Sequence, residues 1–145
     1  MVTSLTKLYS VPMIGKICQK INSLIGCNIP IEVHIGSNVV FVHNAIGTVI
    51  HEKTFISDNV KIYQDVTIGR GDIWKDPDDD FKGFIIDEGA ILCAGAKIIS
   101  SHGKLRVGRN TVIGANAVLT KSTGDNEIWG GIPAKRLKLR NIVHI

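Results

Sequence analysis

The sequence predicts an all-β protein wound as a parallel β-helix, with a short N-terminal helix and one protruding loop. Three observations predict it. A large apolar residue recurs at every sixth position: Ile29, Ile35, Phe41; Ile50, Ile56, Ile62, Ile68; Ile86, Leu92, Ile98; Val107, Ile113, Leu119. The residue four places after each is small or β-branched (Val33, Val39, Ala45, Thr54, Val60, Val66, Ala90, Ala96, Thr111, Ala117, Thr123), and only Asp72 and His102 break this rule. The aliphatic residues are 23 Ile and 13 Val against 8 Leu, with 15 Gly, a balance that suits strands and tight turns. A period of six is neither helical nor simple strand alternation. It means a short strand, a turn and another short strand, with one large and one small side chain inward per unit. Three units close a triangular coil, and stacked coils pair edge to edge.

The elements follow in order. In residues 1–28, Ile14, Ile17, Ile21, Leu24 and Ile25 keep helical spacing, with Ser10 as N-cap, Pro12 in the first turn and Gly26 as stop. That apolar row predicts a helix lying over the open first coil, whose strand edges need a cover. The coil runs over 29–124, with phase slips between Phe41 and Ile50 and between Ile98 and Val107. A loop at about 70–84 leaves it, acidic through Asp72, Asp76, Asp78, Asp79 and Asp80. Asp76, Asp78 and Asp80 alternate as in a calcium loop, but Phe81 stands where such a loop needs Gly, so no metal is expected. Asp125 and Asn126 mark a turn, and 125–145 form a C-terminal extension.

At 145 residues the chain holds one domain, and 44% hydrophobic with 21% charged residues excludes a disordered one. A net charge of +4 allows an anionic partner without specifying it. Cys18, Cys27 and Cys93 show no metal or disulfide spacing and read as reduced thiols. With no membrane span and no leader peptide in view, the expected location is the cytoplasm.

The hexads Ile35-Gly36, Ile68-Gly69, Val107-Gly108 and Ile113-Gly114 resemble those of hexapeptide-repeat acyltransferases. Val42-His43-Asn44-Ala45-Ile46-Gly47, Glu52, Asp58-Asn59-Val60, Gln64-Asp65-Val66-Thr67-Ile68-Gly69, Ala94-Gly95-Ala96-Lys97-Ile98 and Gly131-Ile132-Pro133-Ala134-Lys135 narrow the resemblance. In that order they resemble the serine acetyltransferase branch and its polysaccharide O-acetyltransferase relatives, over roughly residues 28–138. The resemblance implies a left-handed coil, a homotrimer with sites between subunits, and acetyl-CoA as donor.

Moving an acetyl group from a thioester to a hydroxyl needs a base, oxyanion donors and a hold on a long anionic donor. An imidazole accepts a proton near neutral pH. Of the five His, His43 matches the family's catalytic base and sits before the first phase slip, where a coil can bulge. His34 and His51 lie in ordinary hexads, His144 in the tail. The family's orienting Asp falls on Asn28, which can accept an imidazole N–H but brings no charge; Glu32 and Glu52 are the candidate sources of it, and Glu52 matches a Glu of the family. For CoA, Gly69, Gly71, Ala94, Gly95, Ala96, Ala115 and Pro133 supply small or matching positions. Lys97, Lys121, Lys135 and Arg136 supply cations for its phosphates.

Substrate contacts are expected from Val42, Trp74, Lys82 and His102. Two of these depart from the serine enzymes. Val42 replaces an acid, and Lys82-Gly83 replaces an Arg-His pair. A free amino acid would find fewer counter-charges, so the sequence favours a saccharide hydroxyl as acceptor, with Trp74 to stack on the sugar. Serine O-acetylation is the alternative within the same branch, and a non-catalytic β-helix assembly module the alternative from another class. A carbonic anhydrase on this coil would need metal-binding His five residues apart, which the sequence lacks. Nucleic acid is disfavoured by modest charge without basic-aromatic interleaving.

Overall fold

The computed structural model describes residues 1–75 and 80–141. Two helices open the chain, α1 (Val2–Thr6) and α2 (Pro12–Leu24). Four coils of three strands follow: β1 (His34–Ile35), β2 (Val40–Phe41) and β3 (Val49–Ile50); β4 (Thr54–Ile56), β5 (Lys61–Ile62) and β6 (Thr67–Arg70); β7 (Gly83–Ile86), β8 (Ile91–Leu92) and β9 (Lys97–Ser100); β10 (Lys104–Val107), β11 (Val112–Ile113) and β12 (Val118–Leu119). The coil is a left-handed parallel β-helix. Its walls are the sheets β1-β4-β7-β10 (first wall), β2-β5-β8-β11 (second wall) and β3-β6-β9-β12 (third wall). The second wall continues into β13 (Glu127–Gly130), parallel to β11, and ends on the antiparallel β14 (Lys135–Leu139). The parallel ladder thus passes the turn at Asp125 and pairs Ile128 and Trp129 with β11.

Register explains the period. Ile56 pairs with Ile86, Ile62 with Leu92 and Ile68 with Ile98, so like side chains stack up the axis. Every six-residue anchor is buried except Ile35, which is half-exposed at the open end. Phe84 and Leu105 join the core from the first wall, outside the predicted anchors.

The N-terminus differs from expectation. Val2 of α1 enters the core and Tyr9 packs against it, so α1 and its tail supply the cover. Helix α2 turns Gly15, Cys18 and Asn22 inward instead of its Ile row. Close approach decides this: a Cβ on Gly15 would lie 2.8 Å from the Tyr9 carbonyl oxygen. Asn22 Nδ2 also donates to Tyr9 Oη at 2.9 Å, and Tyr9 Oη donates to the Ile29 carbonyl. Pro12 opens α2, preceded by Val11 rather than by the Ser10 cap, and Gly26 ends the segment at φ 81°.

Candidate active site

The first phase slip is a backbone feature. His43, Asn44 and Ala45 all take left-handed φ values of 53°, 55° and 45° where β2 turns toward β3. Such a run costs energy for residues with a Cβ and accumulates at functional sites. It holds the His43 imidazole in solvent at the edge between the second and third walls, with the Tyr63 ring edge-on at 6.1 Å. Above it the same edge carries Gln64, Ala94, Ala115 and Gly131. Asp65 N–H donates to the Ile46 carbonyl, Gly95 N–H to Gln64 and Asn116 N–H to Ala94. Val118 N–H then donates to Gly131. His43 and the predicted CoA positions Ala94, Gly95, Ala115 and Pro133 therefore form one column along one edge. Gly69 and Lys97 lie on the adjoining strands β6 and β9. Ala96 is on that course too, but its side chain is in the core.

The other edge of the third wall gathers a second group. Glu52, Gly71, Lys82, His102 and Lys121 lie where the chain passes from the third wall toward the first. Lys82 N–H donates to the Gly103 carbonyl at 2.6 Å, tying the returning loop to the His102 turn. Trp74 is exposed on the outgoing arm. Asp72, counted among the loop's acids, is buried and chelated by Arg70, Nε and NH2 donating at 3.1 and 3.0 Å. Asp76, Asp78 and Asp79 lie outside the described residues, as does His144.

Asn28 sits at the base of the third wall. Its N–H donates to Thr48 and its carbonyl accepts from Ile50, but among the described residues its side chain makes no hydrogen bond to His43. Two expected CoA cations are already engaged. Lys97 Nζ donates to the Asp65 carbonyl at 2.5 Å, and Arg136 NH1 to Glu127 Oε1 at 3.3 Å. Lys121 lies over the Trp129 ring, and Lys135 is exposed.

Sequence reasoning passed over two groups. His51 is half-buried against Phe81 and Phe84, with centroids at 5.1 and 6.1 Å. Burial lowers its pKa; Lys53 and Arg70 add to the shift and Glu52 opposes it. Its Nδ1 accepts from Lys53 N–H, so the neutral ring carries its proton on Nε2. The signal was there in Phe81 and Phe84 beside the loop, but nothing in the period placed them against His51. Glu127 is the other. Burial raises its pKa, but the Trp129 indole, the Gly124 N–H and Arg136 outweigh that and hold it below the usual glutamate value.

No family model matches the chain. It is 34% identical to a serine acetyltransferase of Staphylococcus aureus over 116 residues, 74% of this chain and 49% of that protein. The solved serine acetyltransferase of Vibrio cholerae superposes with a TM-score of 0.77 at 26% identity, over 97% of this chain and 53% of that one. The chain belongs to the hexapeptide-repeat acyltransferases, on their serine acetyltransferase-like branch. A third match is a serine acetyltransferase solved in complex with CoA, 26% identical, TM-score 0.70, over 94% of this chain and 54% of that one. This branch member spans about half the length of the relatives it matches.

These relatives overturn the expectation of a saccharide acceptor, since they are named for serine. That expectation rested on counter-charges missing at Val42 and Lys82-Gly83. In the fold, Glu32, Glu52, Lys53, Lys82 and Lys104 line one open cavity of about 540 Å³, so charges of both signs are present without the family's own pair. Gly83 cannot carry a larger side chain: at φ 101° its Cβ would collide with the Lys53 carbonyl oxygen.

Proposed function

We propose that the chain is an acetyl-CoA-dependent serine O-acetyltransferase with His43 as general base. The observation that carries this reading is the column of His43 and small corner residues on a coil shared with serine acetyltransferases. In the proposed reaction His43 takes the proton from the serine hydroxyl as its oxygen attacks the thioester carbonyl. The tetrahedral intermediate collapses, the C–S bond breaks, and the imidazolium returns the proton to the CoA thiolate. CoA lies along the His43 edge, where Ala94, Gly95 and Ala115 let its pantetheine approach the backbone. The exposed Lys135 meets its phosphates. Glu52, brought to the His43 edge by a neighbouring chain, orients the imidazole.

In one chain the base column and the Glu52–Lys82–His102 group occupy opposite edges of the third wall. A homotrimer, in which one chain's edge faces its neighbour's, would bring them together, and the proposal includes that assembly. Incubation with acetyl-CoA and L-serine should release free thiol and form O-acetylserine. Thiol release with sugars but not with serine would defeat the acceptor; none with any hydroxyl would defeat the activity.

A further inference from the structure

Helix α2 presents to solvent the face that its sequence marks for burial. Met13, Ile14, Ile17, Ile21 and Leu24 are 80, 46, 57, 37 and 86% exposed, and Leu8 and Val11 extend the patch ahead of the helix. At 100° per residue these five fall within about 100° of arc, along a helix of about 20 Å. Gly15, Cys18 and Asn22 hold the opposite side against the body. The exposed rim beside Met13 carries Lys16 and Lys20, with Lys7 in the preceding turn, and no Asp or Glu occurs before Glu32. We propose that this face docks on an anionic phospholipid surface, with the helix lying in the plane of the headgroups.

The charge pattern selects that occupant. An apolar stripe edged by lysines, free of carboxylates, matches a bilayer interface, where the Ile and Leu side chains reach the acyl boundary and the ammonium groups meet lipid phosphates. Pairing the same stripe with a second copy would bring lysine rims together, and α2 has no carboxylate to answer them. No described helix is long and apolar enough to cross a membrane, so the contact is one of lying on the surface.

The test is sedimentation of the full chain with vesicles of phosphatidylcholine alone or mixed with phosphatidylglycerol. Binding is expected to the mixed vesicles, about tenfold or more weaker to the neutral ones, and lowered by salt. Ile17→Glu with Leu24→Glu should reduce it about tenfold or more, and Lys16→Gln with Lys20→Gln should remove the preference for the anionic lipid. Circular dichroism reports whether each variant folds, and the milder Ile17→Ser replaces any that does not. Wild-type protein left in solution with mixed vesicles overturns the proposal. So does undiminished binding by the folded stripe variants, which would place the contact elsewhere. A larger assembly in light scattering that Ile17→Ser breaks down, without vesicle binding, assigns the face to a second copy and overturns it equally.

Discussion

At His43 the backbone decides where the proposed base stands. Three successive left-handed residues keep the ring out of the strand course and in solvent at the edge. His43→Ala should lower turnover by roughly 10²–10⁴, with the circular dichroism spectrum unchanged; an unaltered rate would put the base elsewhere. Glu127 makes a prediction about stability. Its Oε2 accepts from Trp129 Nε1 at 2.7 Å and from Gly124 N–H at 2.8 Å, while Oε1 meets Arg136. Its folded pKa lies below the ordinary value, so its contribution is full above that value and disappears as pH falls through the folded pKa. Glu127→Gln should cost about 1–3 kcal/mol in urea unfolding at neutral pH. The melting temperature of the variant should also fall less than that of the parent between about pH 5 and 3. The left-handed bend at His43 was legible in the sequence because a phase slip marks its seat. The engagement of Arg136 was not, because it arises across the antiparallel return of β14, which no six-residue count foresees.

The coil's corners repeat one solution with different residues. Asn38, Asn59, Asn110 and Asn126 take left-handed φ values between the first and second walls. They bond up the edge: Asn38 Nδ2 to Asn59 Oδ1, Asn59 Nδ2 to Glu88 Oε1, and Asn110 Nδ2 to Asn126 Oδ1, at 3.2–3.3 Å. Asn tolerates that conformation better than other residues with a Cβ. At the His43 edge the equivalent place in the third coil is Gly95, at φ 71°, whose Cβ would run into Asn116 Oδ1. Gly95→Ala therefore combines strain with a clash and should cost about 1–3 kcal/mol in thermal or urea unfolding. Gly103 is the control. At φ 55° with open space around it, Gly103→Ala should cost only about 1 kcal/mol. The period read these corners correctly because large and small positions alternate with them. It misread α2, because helical spacing shows that an apolar face exists but not which side the close approach at Gly15 turns inward.

For the whole molecule, the width of the third wall sets the question. The His43 column follows its edge with the second wall, and Lys82 returns at its edge with the first. If the proposed site is shared between neighbours, each seam takes His43 from one chain and Lys82 from another. Chains carrying His43→Ala and chains carrying Lys82→Glu should then each be inactive alone. Unfolded together and refolded, they should recover activity. In random trimers a seam joins an intact His43 to an intact Lys82 about a quarter of the time, so recovery should approach a quarter of the parental rate. A site complete within one chain predicts no recovery at any mixing ratio, because neither chain then holds both groups. Thiol release measured across mixing ratios separates the two. The shared site gives a maximum at equal proportions, since the product of the two chain fractions peaks there, and the self-contained site gives a flat baseline.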